Sequence, residues 1–316
     1  MLSGVIMERI VIAFGGNALL RKGDSGDFET QSARAYEAFS SLGSALAEYE
    51  VVISHGNGPQ VGNILLQNEF SKNVTQPMPL YSCGAMSQGL IGLALSFAYE
   101  KAKYEFGLSR DISVLMTRTL VDNNDPSFTN PSKPIGPFYT EEEAAKSMKE
   151  KKWSMKEDSG RGWRRLVPSP DPIEILERKQ ILSLLSNGFL PVCSGGGGIP
   201  VVKSNGFYEG VDAVIDKDLA SSVLASSINA RRLVILTDVE NAFLAYGKPE
   251  QEAIGVVDLA RITDYYEGGA FAKGSMGPKI TAAIRFIRSG GKEAIITSLD
   301  NAKAALAGKA GTIIRP

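Results

Sequence analysis

Ile10-Val11-Ile12-Ala13-Phe14-Gly15-Gly16-Asn17 carries five apolar residues straight into two glycines. A short unbroken apolar run predicts a strand buried on both faces, as in a parallel sheet. The glycines that end it let backbone amides approach a ligand that a side chain would hold off. The pattern recurs twice. Val51-Val52-Ile53-Ser54 runs into His55-Gly56-Asn57-Gly58, and Phe189-Leu190-Pro191-Val192-Cys193-Ser194 runs into Gly195-Gly196-Gly197-Gly198. In open parallel sheets ligands lie beyond the carboxyl ends of the strands, and following helix N-termini add positive charge. Three such loops predict an anionic ligand gripped from several sides.

Outward from these strands the chain alternates. Helices are predicted at 31–49, from Pro59 onward, and at 85–106, 173–187, 217–228 and 278–289. Gly188 stands just past the fourth, and Pro59 suits a first helical position, where its missing amide costs nothing. Further strands are predicted at 112–117, 233–237 and 294–297. Ile280, Ala283, Ile284 and Ile287 repeat at spacings of three and four, which gives the last helix one apolar face. The fold class is therefore α/β: a three-layer α/β/α sandwich with a mainly parallel central sheet. With 316 residues the chain is expected to form two lobes, 1–205 and 206–316. Residues 122–168 break the rhythm with Pro126, Pro131, Pro134 and Pro137 and a charged run from Lys149 to Lys152. Trp153, Trp163, Phe138 and Tyr139 mark this stretch as a folded insertion, of the kind that serves as a lid.

Composition removes several function classes. Lys and Arg total 34 and Asp and Glu 35, so no basic surplus supports a nucleic-acid partner. Cys83 and Cys193 are the two cysteines and belong to no Cys-x-x-Cys pair, which argues against a disulfide framework or zinc knuckle and for a reducing, cytoplasmic setting. The apolar opening Met1 to Ile6 is interrupted by Glu8 and Arg9 before it reaches signal-peptide length. No apolar run is expected to approach the roughly 20 residues that cross a bilayer, so no membrane partner is expected. A Gly-x-x-x-x-Gly-Lys-[Ser/Thr] loop is absent, and Gly56-Asn57-Gly58-Pro59-Gln60-Val61-Gly62 misses the dinucleotide spacing by one residue. His55 is the single histidine and no Gly-x-Ser-x-Gly elbow exists, so serine–histidine catalysis is unsupported and a structural role for His55 is expected.

Two lysines sit where helices begin. Val214-Ile215-Asp216-Lys217-Asp218-Leu219-Ala220 places Lys217 between two aspartates where a strand is expected to pass into a helix. Gly274-Ser275-Met276-Gly277-Pro278-Lys279 places another lysine in a first turn. Positive charge opposes the helix dipole there unless an anion lies close. Phosphoryl transfer needs positioning and cationic stabilisation above all, and Asp218 is the candidate to hold both lysine heads in register. An acceptor that is already an oxyanion needs no general base.

Read as a set, these segments resemble the carbamate kinases, a branch of the amino acid kinase fold, along nearly the whole chain. The matching stretches are Phe14 to Leu19, Ser54 to Gly62, Ala85-Met86-Ser87-Gln88-Gly89, Lys133-Pro134-Ile135-Gly136-Pro137-Phe138-Tyr139, Glu157 to Arg165, Gly195 to Pro200, Ala213 to Ala220, Ile235 to Val239 and Gly274 to Lys279. The resemblance implies an amino-terminal lobe for carbamate and a carboxyl-terminal lobe for nucleotide. It implies reversible transfer between ATP and carbamate, giving ADP and carbamoyl phosphate, with Mg2+, and a place in arginine metabolism. Lys133, Lys217 and Lys279 would contact phosphoryl groups. Gly15, Gly16, Asn17, Gly56, Asn57, Gly58, Gly195 and Gly196 would bind carbamate and the transferred phosphate. Thr237, Asp238, Val239, Tyr246 and Met276, with Lys279, would line the nucleotide site. No protein metal ligand is implied, and a homodimer is. Other amino acid kinases tend to carry a lysine two residues before the Gly-Gly. Ala13 stands there in this chain, and Lys133 of the insertion would supply the charge instead. Tyr81 stands where the resemblance expects aspartate, and Arg231-Arg232 also depart from its pattern. The alternatives are another acyl-phosphate-forming kinase on this fold and a non-catalytic nucleotide-binding sensor.

Overall fold

Residues alternate strictly across the central strands. Ile10, Ile12 and Phe14 enter one buried cluster, while Val11 and Ala13 enter a second on the opposite face. A strand buried on both faces must be covered by helices on both faces, and the computed structural model shows that arrangement. It describes residues 7–16, 19–21, 23–158, 160, 162–272 and 274–316.

The chain opens with β1 (Glu8–Phe14), α1 (Phe28–Leu42), a short α2 (Ala45–Glu48) and β2 (Tyr49–His55). Then come α3 (Gly58–Ser71), α4 (Leu80–Phe106), β3 (Asp111–Val114) and β4 (Arg118–Leu120). The insertion follows as β5 (Lys133–Tyr139), α5 (Glu141–Lys151), β6 (Ser154–Glu157) and β7 (Trp163–Val167). Next are β8 (Glu174–Ile175), α6 (Arg178–Ser186), β9 (Phe189–Val192), β10 (Ile199–Ser204) and β11 (Phe207–Gly210). The last third holds α7 (Lys217–Ser227), β12 (Arg232–Thr237), β13 (Phe243–Leu244), β14 (Glu252–Ala253), β15 (Val256–Asp258) and α8 (Leu259–Glu267). It closes with α9 (Met276–Arg288), β16 (Glu293–Ser298), α10 (Ala302–Leu306) and β17 (Thr312–Arg315).

The main sheet has eight strands in the order β15-β17-β16-β12-β1-β2-β9-β3. Every pairing in it is parallel except β16 with β17. One face is packed by α1, α4 and α10, where Phe39 sits edge-on to Phe14 (5.6 Å) and Tyr99 (5.2 Å). Such ring pairs add about 0.5–1.5 kcal/mol each beyond their buried area. The other face takes α6, α7, α8 and α9, and Ile280, Ala283, Ile284 and Ile287 all lie in that layer, as their spacing requires.

The insertion is a three-stranded antiparallel sheet, β5-β7-β6, with α5 beside it. Thr140 and Glu143 form a reciprocal capping box at the start of α5. Ile135 of β5 is buried among Val61 and Ile64 of α3 and Leu80, which seats the insertion on the amino-terminal half. Glu69 of α3 pairs with Lys151, and both Lys151 (4.3 Å) and Arg165 (4.5 Å) lie over the Trp153 ring. The flanking β4 and β8 pair with each other and join β10 and β11 in a second sheet.

Several boundaries differ from the sequence reading. The helix expected over 31–49 breaks at Gly43 (φ 52°), whose amide caps Phe39, and the chain is already extended by Tyr49. The strand expected at 112–117 splits between two sheets, because the chain leaves the main sheet after Val114 and pairs with β10 from Arg118. The helix expected over 173–187 starts at Arg178, since 174–175 pair with β4. Val214 and Ile215 form no strand before α7. The third glycine loop leads into strand β10 rather than a helix.

One apolar stretch is longer than expected from the sequence. By length and composition α4, 27 residues, is apolar enough to cross a membrane. Its inward face buries Cys83, Ile91, Leu95, Ala98, Tyr99 and Ala102, the packing of a core helix.

Candidate functional site

Parallel pairing brings the carboxyl ends of β16, β12, β1, β2 and β9 side by side at one edge of the sheet. In that order they deliver Ser298 to Asp300, Thr237 and Asp238, Gly15 and Gly16, Gly56 to Gly58, and Gly195 to Gly197. The glycine loops interlock. A Cβ on Gly196 would fall 2.2 Å from the Asn57 amide nitrogen, and Gly196 has φ +63°, so glycine is required there twice over. On Gly195 it would fall 2.5 Å from the His55 ring.

A polar frame fixes these loops from α4. Asn57 Nδ2 donates to Ser87 Oγ (2.8 Å), and Gln88 Nε2 donates to the carbonyls of Thr117 and Gly195 (3.1 Å each). The Thr117 amide returns a bond to Gln88 Oε1 at 2.9 Å. His55 is buried, and its Nδ1–H donates to the Gly56 carbonyl (2.9 Å). Burial drives its imidazole down to about 4, with Lys217 pushing the same way and the Gly56 bond opposing. A histidine held neutral in this manner is a wall of the loop, as expected from the sequence.

Lys217 opens α7 and Lys279 lies in the first turns of α9, and both turn onto Asp218. Lys217 Nζ is 2.5 Å from Asp218 Oδ1, and Lys279 Nζ is 3.1 Å from Oδ2. Burial alone would raise the Asp218 carboxyl, yet the two ammonium groups, by charge and by hydrogen bond, hold it down to about 2. Two cations share one anion here, beside two helix N-termini, so the cluster keeps a positive excess for a ligand. Both lysines line a cavity of about 590 Å³ together with Gly15, Gly16, Thr237 and Asp238. A second, smaller cavity shares Thr237, Asp238 and Ser275 and continues over Val239, Tyr246 and Met276. Lys133, the first residue of β5, stands on the insertion with its Nζ 2.9 Å from Asp216 Oδ2.

Nearly every residue singled out in the sequence thus lies along one edge. Asn17, with Ala18, Ser159 and Arg161 of the quoted segments, falls outside the described residues. Sequence reading missed Arg21 and Asp300 of the larger cavity, Phe243 of the smaller, and the Gln88 clamp. Asp300 was within reach, since it follows a predicted strand as the glycine loops do. Phe243 was not, because its strand is two residues long. Among the described residues no group of three or more His, Cys, Asp or Glu is placed to hold a metal ion. Asp216 and Asp218, the carboxylates at the lysine cluster, are already taken by lysines.

Comparison with known proteins identifies the family. A model of the amino acid kinase family matches residues 8–298. Carbamate kinases of Thermoplasma acidophilum and Thermoplasma volcanium are 51% and 50% identical to this chain, each covering 98% of it, with 99% and 100% of their own lengths matched. The carbamate kinase of Giardia lamblia, solved with AMP-PNP, superposes with a TM-score of 0.91 at 47% identity over 98% of this chain and 99% of its own. N-acetylglutamate synthase of Neisseria gonorrhoeae shares the fold at a TM-score of 0.54 and 14% identity. The chain belongs to the amino acid kinase family and, within it, to the carbamate kinases.

Proposed function

We propose that Lys133, Lys217, Asp218 and Lys279 carry a reversible phosphoryl transfer between ATP and carbamate, yielding ADP and carbamoyl phosphate. The observation that carries this reading is the pair of lysines fixed on one buried carboxylate at the mouth of the glycine-lined cavity. A carbamate oxygen attacks the γ-phosphorus in line while the ammonium groups neutralise charge spreading over the migrating oxygens. Carbamate is already ionised, so no base is required, and the one histidine is buried and neutral.

Carbamate and the transferred group are assigned to Gly15, Gly16, Gly56, Asn57, Gly58, Gly195 and Gly196, with Asn17 carried over from the resemblance. The nucleotide is assigned to Thr237, Asp238, Val239, Tyr246, Met276 and Lys279, where Phe243 and Tyr246 (ring centroids 5.9 Å apart) offer an apolar wall for a base. These assignments divide the chain into an acceptor lobe, 1–205, carrying the lid at 122–168, and a nucleotide lobe, 206–316. Mg2+ is assigned to the nucleotide's own phosphates, because this chain provides no ligand cluster for it among the described residues.

A homodimer is also proposed. Met86, Leu90, Leu93 and Phe97 form an exposed stripe on α4, next to the sheet-edge strand β3 with exposed Val114. An apolar stripe beside an unpaired strand edge is a surface that a second copy covers. Phe97→Glu is expected to halve the mass seen by sedimentation; an unchanged mass removes this surface from the interface. Cytoplasmic placement and a role in arginine metabolism rest on the resemblance.

The deciding experiment is ATP formation from ADP, carbamoyl phosphate and Mg2+ by the purified protein, with Lys217→Ala as control. ATP synthesis that the substitution abolishes supports the reading. Folded protein that makes none contradicts it.

A further inference from the structure

One carboxylate at the site has two partners that belong to different parts of the molecule. Asp216 is the N-cap of α7, and its Oδ1 accepts the amides of Asp218 (2.9 Å) and Leu219 (3.3 Å). Its other oxygen, Oδ2, accepts the ammonium of Lys133 from the lid at 2.9 Å. Lys133 and Asp216 are 83 positions apart, and the pair ties the insertion to the helix that carries Lys217 and Asp218. The Asp216 side chain is 14% exposed and that of Lys133 37%, so the pair sits at the edge of the site, where a ligand can compete for the cation.

We infer that Asp216 is a positioning residue that stages Lys133 for the reaction. Resting on the assignment of Lys133 to the transferred group, it adds the residue through which that lysine is placed. A lysine side chain loses about 2 kcal/mol of rotamer freedom when fixed, and an anion within hydrogen-bond reach supplies the restraint before substrate arrives. The same carboxylate is held rigid by two backbone amides, so it locates the ammonium relative to Lys217, the very next residue, rather than to the lid. A pair whose lysine is 37% exposed is also weak enough to exchange. The ammonium can swing from Asp216 to a phosphoryl oxygen, trading one charge-assisted bond for another, so lid docking and assembly of the cationic site become a single event. A lid lysine without this post would reach the reacting group from a wide spread of rotamers.

Asparagine caps helices about as well as aspartate, so Asp216→Asn keeps α7 while removing the charge that holds Lys133. The experiment compares steady-state ATP synthesis for wild type, Asp216→Asn, Lys133→Ala and the double variant, with Asp216→Ser as a second cap-preserving replacement. Asp216→Asn is expected to lower kcat about ten-fold with an unchanged KM for ADP. Lys133→Ala is expected to lower kcat about 10²-fold, and the double variant to equal Lys133→Ala alone. Independent, multiplying losses in the double variant would show that Asp216 acts through α7 and would overturn the inference. A wild-type kcat in both Asp216 variants alongside an impaired Lys133→Ala overturns it too, and leaves Lys133 standing. A wild-type rate in Lys133→Ala removes the role of Lys133 itself, and the staging role with it.

Discussion

Lys279 reaches Asp218 across 61 positions of sequence, its Nζ 3.1 Å from Oδ2, while the adjacent Lys217 holds Oδ1 at 2.5 Å. One buried anion therefore sets the separation of two cations that come from different helices. Lys217→Ala or Lys279→Ala is expected to lower turnover by about 10²–10³-fold with the fold retained. Rates near wild type in either variant, measured by coupled ATP synthesis, would remove that lysine from the chemistry.

The cluster is expected to outlast mild acid. The flanking ammonium groups hold the Asp218 carboxyl at about 2 in the folded chain, below its ordinary 3.8. Its contribution to stability is thus complete above 3.8 and is lost as pH falls through about 2. Activity that returns in full after exposure to pH 4.5 agrees with this; irreversible loss at that pH points to another group.

His55 has the opposite consequence. Its imidazole is held at about 4 against 6.5 when free, so the unfolded chain takes up a proton that the native one refuses. Stability is full above 6.5 and declines as pH falls toward 4, by about 2 kcal/mol between pH 7 and 5. The charged neighbour that adds to this is Lys217. Because the chain has one histidine, the slope can be assigned: His55→Asn should flatten the urea midpoint across that window, and an unchanged slope would place its origin elsewhere.

Gly196→Ala forces a left-handed residue and a methyl group against the Asn57 amide. Displacement of Asn57 should raise the KM for carbamoyl phosphate at least about ten-fold while the KM for ADP holds, a loss of about 1–2 kcal/mol. Equal effects on both substrates would contradict the division between acceptor and nucleotide loops.

Cys83 and Cys193 are both buried, and burial pushes both thiols up. The native protein should therefore resist a chromogenic disulfide reagent and release two equivalents only when unfolded. Rapid labelling of the folded protein would show that one of these sites opens.

What the sequence disclosed and what it hid follow from different physics. The strands of the parallel core were legible because each is an unbroken apolar run, and the loops because glycine follows directly. Lys217 and Lys279 were legible because a cation at a helix start opposes the dipole. The short edge and hairpin strands, such as β8 and β13, carry too few residues to show a period. The end of α1 at Gly43 was hidden because Ala45 and Leu46 continue the apolar pattern beyond it. The double engagement of Asp216 was invisible for another reason: its partner is 83 positions away, on a strand whose placement depends on packing against α3.

Strands β1 and β12 are hydrogen-bonded neighbours, with Ile10 to Ala13 in register with Arg232 to Ile235. Neighbouring strands lie about 4.8 Å apart, and here one ends in the loop proposed for the acceptor and the other in the loop proposed for the nucleotide. On that proposal the spacing of the two reactants is written into a backbone ladder present before either arrives. On the same proposal, closure of the insertion would have only to shut out water and bring one more charge. It also means that the loops after β2 and β9 can be rebuilt for a different acceptor without disturbing the geometry of the donor.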